Sequence, residues 1–417
     1  DGVVRYVVTK DFRNSSFSQI VKLLSESLEK KPKIESTANN LSRYFSITIL
    51  SLSAFTFFWW AFFGEAGFER ALVVSVSVII IACPCALALA TPIGSVKGLY
   101  TAEKKGAVFK SSSMLETIAK ADYLLLDKTG TLTEGRPKVV NETVFGEYDK
   151  NILASLVASS KHPVSEGVAA HLGIKSTPLE GAKELRSKGI EYEEGGQKIV
   201  GGNIEYLSAH GVKIEFSSDK TVFAYAQNGE LKAVFELEDK IKDGAKELIA
   251  KIKEVGIKPV MLTGDNELSA SRVATKLGIF EYKSKMTPEE KLRYVGTLQQ
   301  SGSVVIMAGD GINDSLALAR ADIGIAMASG AEINLQTSDV VLLKNSLNEL
   351  KEAIFIGRKT YKTIKQNIAV SIVYNAVTIP LAMAGFVIPL VAAISMSFSS
   401  ILVVLNSTKI KSELKNG

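Results

Sequence analysis

Three short stretches of this sequence place carboxylates and hydroxyls directly after apolar runs. In ADYLLLDKTGTLTEG, residues 121–135, Asp127 follows the run YLLL. Such a run predicts a buried parallel strand, and open α/β sheets bind their ligands at the carboxyl ends of strands. An aspartate there can act as a nucleophile and form an aspartyl-phosphate if Mg²⁺ and cationic side chains neutralise the phosphoryl oxygens. A strand-end cap is the ordinary alternative for an isolated aspartate.

Two further apolar runs end in the same way. They are KPVMLTGDNELSA, residues 258–270, with Thr263 and Asp265, and SVVIMAGDGINDSLALARADIGIAM, residues 303–327, with Asp310, Asn313 and Asp314. Between them, MTPEEKLRYV places Lys291 near the start of a predicted helix. Three strands that deliver polar clusters at one sheet edge would supply the nucleophile, a phosphate clamp and magnesium carboxylates.

The motifs DKTGTLT, MLTGDN and GDGIND, in this order and with a long insertion after the first, resemble those of the P-type ATPases. The likeness covers essentially the whole chain and implies a phosphorylation domain of the haloacid-dehalogenase fold. It implies that ATP phosphorylates Asp127 and that Lys291 neutralises the phosphoryl group. The residues implied to position that group are Lys128, Thr129, Thr263, Gly264 and Asp265, and those implied to hold Mg²⁺ are Asp127, Asp310, Asn313 and Asp314.

The insertion, residues 137–245, would then be the nucleotide-binding domain. Its stretch SSKHPVSEGVAAHL resembles the His-Pro motif of the heavy-metal branch. The resemblance implies nucleotide contacts at His162, Pro163, Gly189, Gly201, Gly202 and Asn203. Ser187 stands where the family tends to have the first glycine of a Gly-x-Gly, and Val157 where it often has an acidic residue. The details of nucleotide contact therefore stay open. His171 and His210 are expected to be ordinary surface or core residues.

Apolar residues, which make up 46% of the 417, are concentrated in two blocks, residues 41–97 and 366–406. Four segments are long enough to cross a hydrocarbon layer of about 30 Å as helices: residues 41–63, 71–96, 367–385 and 387–405. Basic residues flank the outer ends of both pairs, so the positive-inside rule predicts an integral membrane protein with cytoplasmic catalytic domains. We expect the cell membrane of a prokaryote. The net charge of +5 is modest, and no basic stripe indicates a nucleic-acid partner.

The predicted fold class is a multi-domain α-helical membrane protein combined with α/β structure. The α/β part is a haloacid-dehalogenase-like (Rossmannoid) phosphorylation domain with an inserted α+β nucleotide-binding domain. The predicted domains are a remnant of an actuator domain (1–35), two membrane helices (36–100), the phosphorylation domain (101–136 and 246–350), the nucleotide-binding domain (137–245) and two C-terminal membrane helices (351–417).

Both cysteines of the chain lie in IIIACPCALALATP, residues 79–92. Pro84 removes a backbone hydrogen bond and is expected to open the helix there, presenting Cys83 and Cys85 in mid-membrane. Cysteines one residue apart are not expected to form a structural disulfide, because regular helix or strand geometry is wrong for it. Thiolates are soft ligands that suit Cu⁺ and, less well, Zn²⁺ or Cd²⁺. A buried structural pair is the alternative, but Cys-Pro-Cys resembles the signature of the heavy-metal P-type ATPases.

The last two predicted spans favour one metal. Residues 367–405 contain no Asp, Glu, Lys or Arg. They contain IVYNAV and SMSFSS, which resemble the Tyr-Asn and Met-x-x-Ser-Ser motifs of the copper(I)-exporting branch. The implied ligands of the transported Cu⁺ are Cys83, Cys85, Tyr374, Asn375, Met396 and Ser399. Export of Zn²⁺ or Cd²⁺ is the second reading, and a membrane-anchored phosphohydrolase that transports nothing is the third.

The Thr-Gly-Glu motif of an actuator domain is absent from the sequence. The first residues resemble the tail of such a domain, so we expect an N-terminally truncated P-type ATPase. It would accept phosphate from ATP at Asp127 but turn over poorly. The expected cofactors are Mg²⁺ and ATP. The expected partners are membrane lipid and a soluble copper chaperone as metal donor.

Overall fold

The computed structural model describes residues 33–64, 67–83, 85–185, 188–310, 314–327 and 338–411; for residues 33–43 and Leu87 it describes only the backbone. Asn313, Pro84, Ser187 and nearly all of the expected actuator remnant lie outside the described residues.

The described helices are α1 (Lys33–Phe63), α2 (Gly67–Ile81), α3 (Cys85–Lys104), α4 (Ser113–Ala119), α5 (Lys150–Ala158), α6 (Pro163–Leu172), α7 (Ile204–Ala209), α8 (Ala245–Glu254), α9 (Glu267–Leu277), α10 (Pro288–Gln300), α11 (Ser315–Arg320), α12 (Leu347–Met383) and α13 (Pro389–Thr408). The described strands are β1 (Ala107–Phe109), β2 (Tyr123–Asp127), β3 (Lys138–Val144), β4 (Lys183–Leu185), β5 (Gly189–Glu194), β6 (Gln197–Gly202), β7 (Thr221–Gln227), β8 (Glu230–Glu238), β9 (Lys258–Leu262), β10 (Glu281–Lys283), β11 (Val305–Gly309), β12 (Ile323–Ala326) and β13 (Val340–Leu342).

These elements form two compact units, and strand β11 is divided between them. The first unit comprises residues 1–122, 302–306 and 321–417, and the second comprises residues 123–301 and 307–320. The domain bounds proposed from the sequence stay a prediction.

Apolar helices dominate the first unit. Among the described residues, α1 (from Tyr44), α12 and α13 are long and apolar enough to cross a membrane. The predicted span over residues 71–96 is divided: α2 ends at Ile81 and α3 begins at Cys85. The helix is therefore interrupted at the Cys-Pro-Cys stretch, as the sequence predicts. A small sheet completes this unit, in which β13 pairs parallel with β12 and antiparallel with β1.

Helices α3 and α12 approach each other closely at two glycines. A Cβ on Gly94 would lie 2.6 Å from Cγ1 of Ile364, and a Cβ on Gly98 would collide with the side chain of Thr360. Only glycine lets the two backbones come this near. The contact holds the helix that begins at Cys85 against the helix that carries Tyr374 and Asn375.

The second unit has a parallel sheet segment and an antiparallel sheet. Strand β2 pairs parallel with β9, and β9 with β10, and the register sets Asp127 opposite Leu262. Leu124, Leu125 and Leu126 are fully buried, which explains the unbroken apolar run of β2. The antiparallel sheet has six strands in the order β3-β8-β7-β6-β5-β4.

Helices α5 and α6 cover one face of this antiparallel sheet. Its hydrophobic core includes Leu156, Phe223, Tyr225 and Phe235. Phe235 has no exposed surface, and its ring packs 6.4 Å from that of Phe223. This cluster lies within the insertion predicted to bind nucleotide, so the stability of that insertion depends on these aromatic side chains.

Phe235→Ala should therefore lower the free energy of local opening of β7 and β8 by about 3–5 kcal/mol, because it removes a fully buried ring and leaves a cavity. Hydrogen exchange of the strand amides measures this opening. Val144→Ala is the matched control, since Val144 is 57% exposed on the adjoining strand β3. Equal protection in the two variants would contradict the packing described here.

Candidate active site and ion-binding cavity

An ion-paired cluster lies at the carboxyl end of β2. Nζ of Lys291 is 2.5 Å from Oδ1 of Asp127 and 2.7 Å from Oδ1 of Asp314. The exposed fractions of these three residues are 5%, 6% and 1%, so the cluster is almost dry. The sequence predicted that Asp127, Asp314 and Lys291 would share one site, and the structure brings them together.

Helix capping sets the position of Lys291. Thr287 and Glu290 form a capping box at the start of α10, and Pro288 occupies its first turn. Lys291 therefore lies one turn into α10, where its side chain reaches the end of β2.

Burial and like charge govern the electrostatics of the cluster. Burial and then the neighbouring charge of Asp314 raise the pKa of Asp127, Lys291 opposes both effects, and the pKa that results is about 7. Burial likewise raises the pKa of Asp314. Burial alone would lower the pKa of Lys291, but the charges of Asp127 and Asp314 outweigh it and raise that pKa above its usual range. The ammonium of Lys291 thus partly offsets the effects that favour protonation of the two neighbouring carboxylates.

These residues suit a hard divalent cation. Oδ2 of Asp314 is buried and accepts no hydrogen bond within the described part of the chain. Asp310 lies beside this group, with Oδ2 3.0 Å from the point where a Cβ on Gly130 would stand. No group of three His, Cys, Asp or Glu side chains among the described residues is arranged to hold a metal unaided, and Lys291 here lies between Asp127 and Asp314. An unsatisfied carboxylate oxygen in a cluster of acids is what Mg²⁺ would relieve, so the donor set fits.

A second ion pair lies beside Asp127. Nζ of Lys128 pairs with Oδ2 of Asp265 and lies 3.4 Å from Oγ of Ser269. The amide of Asp265 donates to Oγ1 of Thr263. Thr129 follows Lys128 in a tight turn that Gly130 completes at φ +75°, a conformation that favours glycine. Asp265 thus contacts both of the other predicted clamp residues, Lys128 and Thr263.

The sequence analysis did not single out Asp239 or Lys242. Oγ1 of Thr133 donates to Oδ2 of Asp239 at 2.5 Å, and Nζ of Lys242 donates to the carbonyl of Gly130 at 2.5 Å. Burial lowers the pKa of Lys242 to about 8. In the sequence these two residues lie in ELEDKIKDG, residues 236–244, a charged stretch of the kind that is typical of surface turns.

A cavity of about 710 Å³ lies in the second unit, a size typical of sites for small organic ligands. Its walls include six of the residues predicted from the sequence: His162, Gly189, Gly202, Asn203, Gly264 and Asp265. Two other predicted nucleotide contacts do not line it. Gly201 faces the core, where an added Cβ would meet Phe223, and Pro163 is the first residue of α6.

Two of the lining residues also cap helices. Nδ1 of His162 accepts a hydrogen bond from the amide of Val164 at 3.3 Å, and Oδ1 of Asn203 accepts one from the amide of Tyr206 at 2.7 Å. Burial lowers the pKa of His162, which keeps the ring neutral near pH 7. These side chains are therefore fixed by local backbone bonds before any ligand binds.

A much smaller cavity, of about 10 Å³, lies among the apolar helices of the first unit. A space of this size admits about one water-sized particle. It is lined by Cys83, Ala86, Ser371, Tyr374, Asn375, Met396 and Ser399. Five of the six predicted ion ligands therefore surround one point, and none of the lining residues is charged. Their role as ligands stays a prediction.

The expectation that Cys83 and Cys85 would not be bonded is wrong. The two residues form a disulfide, with Cα atoms 5.5 Å apart, and no described cysteine is free. The expectation holds only for cysteines in a regular helix or strand. Cys83 instead lies beyond the end of α2, and the interruption brings the Cα separation into the range that disulfides require.

His171 and His210 pair with Glu142 and Glu191 at 2.9 Å, as side chains outside both cavities.

Comparison with known proteins places this arrangement in context. Residues 121–322 match the family model described as a haloacid dehalogenase-like hydrolase, which confirms the predicted phosphorylation-domain fold. The copper-exporting P-type ATPase of Bacillus subtilis (strain 168) is 35% identical over 96% of this chain and 52% of its own length. The protein of the same description from Staphylococcus saprophyticus is 33% identical over 99% of this chain and 53% of its own length. The chain thus spans about half the length of these relatives.

Solved structures show the same likeness. A zinc-transporting PIB-type ATPase superposes with a TM-score of 0.71 and 27% identity, over 97% of this chain and 68% of that one. The catalytic domain of the CPx-ATPase CopB-B superposes with a TM-score of 0.51 and 32% identity, over 60% of this chain and 96% of that one.

Lys291→Met should destabilise the cluster by about 3–5 kcal/mol, because it leaves two buried carboxylates without their cation. Hydrogen exchange of the β2 amides reports this loss. Asp314→Asn in the same chain should restore part of the protection by removing the repulsion with Asp127.

Lys246→Met, an exposed substitution on α8, should leave β2 unaffected. Wild-type protection in Lys291→Met would show that the ammonium does not hold the cluster together.

Proposed function

Because this chain belongs to the P-type ATPase family, we propose that it carries the phosphorylation and ion-binding machinery of an ATP-driven Cu⁺ exporter. It is an integral membrane protein with cytoplasmic catalytic domains. The observation that carries the catalytic part of the proposal is the buried contact of Asp127 with Lys291 at the carboxyl end of β2.

Asp127 acts as the nucleophile. One of its carboxylate oxygens attacks the γ-phosphorus of ATP, the bond from that phosphorus to the β,γ-bridging oxygen breaks, and ADP leaves with that electron pair. Lys291 serves twice, since its charge favours the ionised form of Asp127 before attack and opposes the charge on the phosphoryl oxygens afterwards. Lys128, held by Asp265, supplies a second cation next to the nucleophile.

Mg²⁺ would be held by Asp127, Asp310 and Asp314, together with Asn313 beyond the described residues. When bound, it would neutralise the phosphoryl oxygens and lower the barrier to their approach to a carboxylate. The orphaned Oδ2 of Asp314 supports this assignment. ATP itself would occupy the cavity of about 710 Å³, which His162 and Asp265 both line.

The small cavity supports Cu⁺ as the transported ion. It offers sulfur from Cys83 and Met396 and neutral oxygens from Tyr374, Asn375 and Ser399. Soft sulfur ligands suit a monovalent soft ion, and the lack of charge on the walls suits an ion whose charge thiolate can balance. A thiol reductant must first reduce the disulfide by thiol–disulfide exchange and is itself oxidised to a disulfide, because only the two cysteine thiols released in this way can become thiolate ligands.

Export of Zn²⁺ or Cd²⁺ is the second candidate, and a zinc-transporting relative is among the similar structures. The uncharged cavity argues against it, since borderline-hard Zn²⁺ favours a carboxylate. A phosphohydrolase that transports nothing is the third candidate. An anchor gives no reason to gather Cys83, Met396 and Asn375 around one buried point.

The proposal also includes a soluble copper chaperone as the metal donor. Transfer of Cu⁺ from such a chaperone to this chain would test that part of the proposal.

Asp127→Asn should abolish incorporation of ³²P from γ-labelled ATP, because an amide cannot form the acyl-phosphate. Asp122→Asn is the matched control and should incorporate label at the wild-type level, since Asp122 is exposed and lies before β2. Acid-quenched gels measure the label. Undiminished labelling of Asp127→Asn would show that phosphate is attached elsewhere.

Cu⁺ binding to the chain, reduced and kept under anaerobic conditions, should be lost in Cys83→Ser with Cys85→Ser and weakened about tenfold in Met396→Leu, which removes a thioether ligand. Competition with a Cu⁺ chelator measures the affinity. Met383→Leu should bind like the wild type, because Met383 packs in an apolar cluster and is not one of the residues that line the cavity. Binding of Zn²⁺ with no binding of Cu⁺ would favour the second candidate.

A further inference from the structure

A carboxylate that the sequence analysis did not single out faces the large cavity. Glu184 lies in β4, the edge strand of the antiparallel sheet, and its side chain is exposed towards the cavity that His162 also lines. Nothing in the packing of β4 requires an acid there, because all three residues of the strand are exposed.

A buried hydroxyl fixes Glu184 beside His162. Oγ of Ser160 donates to Oε1 of Glu184 at 2.6 Å and accepts the amide hydrogen of His162 at 3.0 Å. Ser160 is only 6% exposed, so this bridge is part of the folded core and not a solvent contact. The remaining oxygen of Glu184, Oε2, is left to accept a hydrogen bond from a ligand.

The hydrogen-bonding role of each ring nitrogen of His162 is defined. Because its Nδ1 accepts the amide hydrogen of Val164, the neutral ring carries its hydrogen on Nε2. This part of the cavity therefore presents an acceptor-only carboxylate and a ring N–H donor side by side.

The other acidic side chains that line the cavity have different partners or positions. Glu267 accepts hydrogen bonds from Tyr282 and Ser284, and Asp265 pairs with Lys128. Glu205 lies in the first turn of α7, where its charge complements the helix N-terminus. Glu184 is the acid that the structure ties to His162.

We propose that Glu184 selects the base of the nucleotide by accepting a hydrogen bond from the exocyclic 6-amino group of adenine. The inference rests on the proposed function, since it needs a nucleoside triphosphate in this cavity. A carboxylate cannot donate, so it favours a base with an amino group at position 6 and disfavours one with a carbonyl oxygen there. Adenine offers that amino donor next to a ring nitrogen acceptor, which matches the carboxylate and N–H pair.

The test compares ATP with purine riboside triphosphate, which has hydrogen in place of the 6-amino group. Binding to the full chain in detergent is measured by calorimetry in EDTA, so that no phosphoryl transfer occurs. Wild type should prefer ATP about tenfold, the worth of one hydrogen bond to a charged group. Glu184→Ala should lower ATP affinity by the same factor and leave the analogue unchanged. Glu193→Ala, which removes an exposed acid of β5 that does not line the cavity, should change neither.

Two further variants, Ser160→Ala and Glu184→Gln, separate the effect of the position of the Glu184 carboxylate from the effect of its charge. Ser160→Ala should lower ATP affinity less than Glu184→Ala does, and Glu184→Gln, which keeps a carbonyl acceptor, should recover part of the preference. Equal losses for ATP and the analogue in Glu184→Ala would indicate a structural role and overturn the proposal. Tighter binding of GTP than of ATP would overturn it too, because the carboxylate would then be reading the guanine edge. If ATP and the analogue bind equally well in wild type, only the assignment of Glu184 fails; if no triphosphate binds, the proposed function fails with it.

Discussion

The catalytic unit depends on one electrostatic constraint: two carboxylates, Asp127 and Asp314, lie buried beside each other at the end of a parallel strand. Burial and mutual repulsion both favour their protonated forms, and a protonated Asp127 is a poor nucleophile. Lys291 resolves this conflict by placing one ammonium within hydrogen-bonding distance of both. The capping box that starts α10 and the apolar run that forms β2 matter because they bring these three groups together.

The small cavity among the apolar helices differs from this cluster, because only uncharged side chains line it. A continuous helix would direct Cys83 by helical periodicity, but the break between Ile81 and Cys85 frees it to reach the same small space as Met396 and Asn375. Close glycine contacts bring α3 and α12 together, and both helices contribute residues to the cavity wall. Selectivity in such a site arises from ligand softness and cavity size, without charge pairing.

Much of the catalytic site could be predicted from the sequence, because Asp127, Asp265 and Asp314 each follow an apolar run and parallel strands gather such residues at one edge. Lys242 and Glu184 could not be found this way. Their roles depend on contacts across more than 100 residues, with Gly130, or across a turn and a strand edge, with Ser160. The disulfide was missed because the argument used regular geometry at a place where the chain is irregular. Strand alternation turns Gly201 to the core while Gly202 faces the cavity, so of these two predicted nucleotide contacts only Gly202 lines the cavity.

His162 and Asn203 hold their helices together with the same atoms that fix their orientation in the cavity wall. Under the proposed function, folding and nucleotide binding are therefore not separable traits at these two positions. A substitution that removes the cap would then lower the amount of folded protein as well as its affinity, so a screen that reads only cellular activity would score the two defects as one. Natural drift at these positions is doubly restricted, whereas Glu184, which caps no helix, remains open to exchange as nucleotide preference changes.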